Sequence, residues 1–70
     1  MDRTTIITLI PKPPVAVKLI VEGHHKPYFV LDGTIDAINS DSLIFRTSTQ
    51  TSAISFQKII EIVLMNQKEL

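Results

Sequence analysis

The chain has 70 residues, which is room for one domain, because a hydrophobic core of useful size needs about 50 residues. Seven Lys and Arg balance seven Asp and Glu, so a general electrostatic attraction to nucleic acid or to an anionic membrane is excluded. The absence of Cys excludes a disulfide framework and a thiolate metal site, and it fits a reducing cytoplasm.

Apolar residues make up 44% of the chain, and most of them are aliphatic. Branched aliphatic side chains suit a pleated surface, so the composition favours an all-β fold. No apolar run reaches the roughly 18 residues of a membrane span, and the start of the chain lacks the long apolar region of a signal peptide. We therefore expect a soluble, cytoplasmic protein without a membrane partner.

Residues 1–14 are predicted to form an N-terminal arm and a proline hinge. Thr, Ile and Leu fill residues 4–10 and indicate a short extra strand. Pro11, Pro13 and Pro14 then stop any ladder, because proline has no N–H to donate. We expect the arm to add an edge strand to its own sheet or to that of a neighbouring copy.

Residues 15–65 are predicted to fold as a small β-barrel. Strict alternation over residues 15–22 indicates a half-buried first strand. A loop leads to a longer strand over residues 28–38, where Gly33 falls on the inward face and predicts a bulge or a sharp bend.

The second half of the chain completes five short strands. Strands are predicted over residues 43–47, 53–56 and 60–64, with one helical turn at residues 56–59 before the last of them. This order is typical of small five-stranded Sm-like or SH3-like barrels, and a generic antiparallel meander or a swapped dimer is the alternative. Residues 66–70 are predicted to form a frayed tail or a short helical end.

Two runs of the sequence resemble a known family. Residues 32–39 carry a Gly-x-Ile-x-x-Ile-Asn spacing, and together with residues 54–62 they resemble the small barrel of the YolD-like bacterial proteins and, more distantly, Sm and Hfq proteins. The resemblance covers residues 15–63. It implies the barrel topology and either an accessory partner of translesion DNA polymerases, as in the YolD-like proteins, or an RNA-binding ring, as in Sm and Hfq proteins.

Catalytic, cofactor and metal sites are not expected. His24 and His25 are neighbours on an extended loop, so their side chains point to opposite sides and do not converge on a metal ion. Asp32 and Asp36 lie about 13 Å apart along one strand, too far for an acid and base pair. The sequence has no glycine-rich phosphate loop and no nucleophile elbow. It therefore predicts a protein that is not an enzyme and that binds no evident small molecule.

Apolar residues in the outward register indicate an interface. Strands with two apolar faces expose a larger patch than soluble monomers tolerate, so contact with another copy or another protein is expected. The alternative is a tightly curled barrel that buries both registers. The candidate interface residues are those of the outward register, Ile20, Val30, Ile38 and Ile44, together with Ile6 and Leu9 of the N-terminal arm.

Three functional hypotheses fit these features. The first is a non-enzymatic protein-binding or regulatory module of bacterial or phage origin, which self-associates through strand addition by the arm. The second is an Sm-like oligomeric ring that binds single-stranded nucleic acid through Lys26, Tyr28, Arg46 and Lys58. The third is a phage structural component.

Overall fold

One antiparallel sheet of five strands forms most of the protein. In the computed structural model, which describes residues 1–65, the strands are β1 (Val15–Glu22), β2 (Tyr28–Ile38), β3 (Ser42–Arg46), β4 (Thr51–Ser55) and β5 (Ile59–Leu64). Their order across the sheet is β4-β3-β2-β1-β5, so β4 and β5 are its two edges. The five predicted strands are confirmed, whereas the predicted tail at residues 66–70 lies outside the described residues.

The helical turn predicted before the last strand is confirmed as a 3-10 helix, Phe56–Lys58. Its first turn is capped by the hydroxyl of Ser55, which accepts a hydrogen bond from the backbone N–H of Gln57 at 3.3 Å. The ring of Phe56 is buried in the core. The turn therefore anchors the chain between β4 and β5.

The N-terminal segment is a helix, and the extra strand predicted for residues 4–10 is wrong. Helix α1 (Arg3–Leu9) begins after Asp2, whose carboxylate accepts a hydrogen bond from the backbone N–H of Thr5 at 2.8 Å. Ile6 and Ile10 lie four residues apart and are both buried. The aspartate cap and this helical spacing outweigh the weak helix propensity of Thr and Ile. Over residues 1–65, the structure contains no helix of the length and apolarity needed to cross a membrane.

The core joins α1 to the inner face of the sheet. Arg3 ties the start of the helix to the β2–β3 turn, because its Nε donates to the carbonyl oxygen of Asn39 at 2.9 Å. In the described part of the chain every buried residue is apolar. The buried set is Ile6, Ile10, Val17, Leu19, Ile35, Leu43, Phe45, Phe56, Ile59 and Ile62.

A register shift at Asp36 bends β2 and reverses the faces of its last residues. Asp36 is the extra residue where the pairing of β2 with β3 shifts between Ile35 and Ala37. Beyond the shift, Ile38 pairs with the buried Leu43 and packs against the core. The outward position predicted for Ile38 is therefore wrong, and Ala37 takes the outward position instead.

Gly33 is needed for close packing, and the bulge predicted there lies three residues further on. The pairing of β1 with β2 runs through Gly33 without a shift. A Cβ atom at this position would clash with the carbonyl oxygen of Arg46 and would lie 2.9 Å from Cζ of Phe45. Glycine is required because β3 and the Phe45 ring approach this point of β2 too closely for a side chain.

Candidate functional site

Edge strand β5 exposes aliphatic side chains. Ile60 is 51% exposed and Leu64 is 45% exposed, and Val63 and the following Met65 are also exposed. Ile60 is the extra residue at a register shift against β1, which turns it out of the ladder. An apolar strand at a sheet edge is a template on which another strand can pair.

The ladder fixes which backbone groups of β5 face away from the sheet. The backbone N–H of Met65 donates to the carbonyl oxygen of Ala16 at 3.3 Å, and Val17 pairs with Leu64. Hydrogen-bonded and non-hydrogen-bonded pairs alternate in an antiparallel ladder. Leu64 and Ile62 therefore direct their N–H and C=O groups away from β1.

The same alternation applies to the other edge, β4. The backbone N–H of Thr47 donates to the carbonyl oxygen of Gln50 at 2.8 Å and closes the hairpin between β3 and β4. Counting from this hydrogen-bonded pair, every second residue of β4 directs its backbone groups away from β3. These residues are Thr51, Ala53 and Ser55.

A groove of about 720 Å³ opens beside β4. Its apolar wall consists of Val21, Leu31 and Ile54, which are half-buried and pack against the core. Its exposed lining includes Lys58, whose Nζ lies 3.9 Å from a carboxylate oxygen of Glu22. Both partners of this ion pair are more than half exposed, so it contributes little to stability. The groove thus combines an apolar wall with a charged rim, as binding sites do.

The residues predicted to bind nucleic acid do not all come together. Lys26 and Tyr28 lie at the β1–β2 loop, where Nζ of Lys26 is 4.9 Å from the ring centroid of Phe29 and Tyr28 is 51% exposed. Lys58 reaches the same end of the sheet, because its partner Glu22 pairs with Tyr28.

Arg46 lies apart from this group and is held in an ion pair. It pairs with Thr34, six residues along β2 from Tyr28, which is about 20 Å along a strand. Its Nε and Nη2 donate to the two carboxylate oxygens of Asp36 at 2.8 and 3.0 Å. These hydrogen bonds from Arg46 hold the pKa of Asp36 below its ordinary value, and the carboxylate in turn raises the pKa of Arg46.

Replacing Asp36 with Asn should make the free energy of unfolding fall less steeply as the pH is lowered. Because the folded-state pKa of Asp36 is lowered, its contribution is present above the ordinary value of 3.8 and is lost as the pH falls below it towards the folded-state pKa. Urea midpoints measured from about pH 6 down to about pH 2.5 should fall less steeply for Asp36→Asn than for the wild type. Arg46→Met removes the same pair from the other side and should flatten the curve equally. A wild-type slope in both variants would contradict this account.

The residues predicted at the interface fall into two groups. Ile6 lies in the core, and Ile38 is half-buried and packs against it. The other four are not among the residues packed against the core: Leu9 and Val30 are exposed, and Ile20 and Ile44 are half-buried. Ile20 and Val30 are cross-strand partners, so they form one outward patch.

The alternation rule missed the exposed edge of the last strand. Strict alternation would put Ile60 and Ile62 on the same face of the strand, but the register shift leaves Ile62 buried and Ile60 exposed. The available signal is composition, because residues 60–64 carry apolar side chains in both registers.

The loop histidines and the comparisons with known proteins do not identify a ligand or a family. The rings of His24 and His25 lie 6.2 Å apart on the exposed loop, and among residues 1–65 no three potential metal-ligating side chains converge. Comparisons of the chain with protein-family models, with curated proteins and with solved structures found no match.

Proposed function

We propose that the protein is a non-enzymatic protein-binding module that self-associates by pairing the sheet edges of neighbouring copies. The observation that supports this proposal is the edge strand β5, which exposes Ile60, Val63 and Leu64. Its outer backbone groups point away from the ladder. Added strands gain affinity from main-chain hydrogen bonds and specificity from alternate side chains.

The partner strand in this proposal is β4 of a second copy. β4 and β5 are the two opposite edges of the sheet, so each copy can pair through β5 with one neighbour and through β4 with another. Such a head-to-tail contact closes into a ring or grows into a filament. The pairing predicted for an N-terminal strand is not part of this mechanism, because that segment forms helix α1.

We also propose that the five-stranded sheet closes into a small barrel. The strand order and the 3-10 helix before β5 support a closed Sm-like or SH3-like barrel. The resemblance of residues 15–63 to YolD-like and Sm proteins agrees with that arrangement. A regulatory module and a phage structural component remain versions of this proposal, because each acts through assembly with proteins.

Proline at either free edge should dissociate the assembly. Ala53→Pro and Leu64→Pro each remove an N–H that points away from the sheet, so the ladders to β3 and β1 keep their hydrogen bonds. In light scattering, the wild type should exceed the 7.9 kDa mass of one chain, and both variants should approach it.

Lys12→Pro provides the control for these edge variants. It places an additional proline in the exposed loop between α1 and β1, away from both edges. Its mass should match the wild type, and far-ultraviolet spectra should report folded sheets in all variants. A wild type that stays monomeric across the concentration range would end the proposal.

Binding of single-stranded nucleic acid is the second candidate function. The observation that favours it is the exposed Tyr28 beside Lys26, which would offer a base-stacking surface and one phosphate contact. The pairing of Lys58 and Arg46 with carboxylates argues against an extended phosphate-binding path. Filter binding with single-stranded RNA and DNA at about 50 mM salt tests this candidate, because phosphate contacts are strongest at low salt.

A further inference from the structure

We infer that Glu61 and Val63 of β5 determine which strand pairs with β4 of a neighbouring copy. Both side chains face the groove beside that β4, where Glu61 forms an ion pair with Lys58 of the neighbour. This inference rests on the proposed self-association and names the side chains that make it specific. It follows from the geometry of the two free edges and from the charges around the groove.

The backbone determines which residues can form hydrogen bonds across the new contact. On β4 the outward backbone groups belong to Ala53 and its alternate neighbours, and on β5 they belong to Ile62 and Leu64. An antiparallel contact must therefore place Ala53 opposite Ile62 or Leu64. Both registers use the same alternate residues of each strand, so the faces of the strands are the same in either one.

The intervening residues then face the groove. Directly opposite residues of an antiparallel pair project to the same side of the sheet. Glu61 and Val63 of the added strand therefore lie on the side of β4 that carries Ser52 and Ile54. Ile54 packs against the core on that side and lines the groove.

The chemistry of these side chains matches the groove. Val63 is 38% exposed in a single copy and would cover the aliphatic wall formed by Leu31 and Ile54. Lys58 stands on the rim with 63% of its side chain exposed, and its contact with Glu22 is long enough to leave N–H donors for a second carboxylate. The three ion pairs found within residues 1–65 do not include Glu61. Opposite charges at this position would favour β5 of the same protein over a strand without an acidic residue there.

Mixing two oppositely charged variants tests the contact between copies. Lys58→Glu places a carboxylate on the rim opposite Glu61, and Glu61→Lys places a lysine opposite Lys58, so each variant alone opposes like charges. Each should self-associate about three- to tenfold more weakly than the wild type in sedimentation experiments. An equimolar mixture should regain association, because every rim in alternating assemblies meets a strand of opposite charge. The gain on mixing should shrink in high salt.

The control pair makes the same charge changes at exposed positions away from the groove. Lys12→Glu and Asp41→Lys should associate as the wild type does, alone and mixed. A mixture of the groove variants that stays as dissociated as its components overturns the inference, and so do single variants that associate like the wild type. If Ala53→Pro still abolishes association in those cases, edge pairing stands without a contact between Glu61 and Lys58. A wild type that never associates overturns both.

Discussion

Gly33→Ala is expected to lower the free energy of unfolding by about 3 kcal/mol, which is a large share of the stability of a small domain. The added methyl group would clash with the carbonyl oxygen of Arg46 and press on the ring of Phe45. The backbone atom belongs to a paired strand, so it can retreat only if β3 moves. Urea unfolding followed by circular dichroism measures the loss.

Two further variants identify the contact responsible for this effect. Thr34→Ala changes the neighbouring residue on the opposite face of β2 and should cost under about 1 kcal/mol. Phe45→Leu removes the ring contact and keeps the backbone contact, so Gly33→Ala should cost about as much in a Phe45→Leu background as in the wild type. A much smaller cost in that background would show that the ring alone requires glycine, and a near-neutral Gly33→Ala in the wild type would contradict the packing argument altogether.

The strands were predictable because their pattern is local. Val17 and Leu19 alternate with exposed or half-buried neighbours along β1, and this alternation follows directly from burying one face of a strand. The helical turn before β5 was predictable for a similar reason, since Phe56–Lys58 interrupts the alternation. Both predictions needed only the sequence of the element itself.

The helix and the strand faces were harder to predict because they depend on distant partners. Asp2 as a cap and the spacing of Ile6 and Ile10 were present in the sequence, but seven residues rich in Thr and Ile also fit a strand. The face taken by Ile38 depends on the bulge at Asp36, which arises only when β2 pairs with β3. The bulge side chain is held there by Arg46 from the neighbouring strand.

The candidate site was the least predictable feature, because it has no motif. It consists of free backbone groups and a groove, and both depend on which strands form the two edges of the sheet. Alternation along β5 does not reveal that Ile60 leaves the ladder at a register shift against β1. Edge exposure is a property of topology, so it became visible only with the whole sheet.

Ile6→Ala should destabilise the protein by about 3 kcal/mol, because it leaves a cavity in the core. Ile6 has no exposed surface, although it lies in a short helix near the start of the chain. Alanine favours helices more than isoleucine does, so the loss cannot come from a weaker helix. Thermal or urea unfolding provides the measurement.

Leu9→Ala is the matched control, because it removes an aliphatic side chain of similar size from the same helix. Leu9 is 37% exposed and lies outside the core, so its loss should cost under about 1 kcal/mol. Equal effects of the two changes would mean that α1 lies loosely on the surface, as the predicted arm would. A large difference between them would mean that the sheet needs the buried side chain of α1 to complete its core.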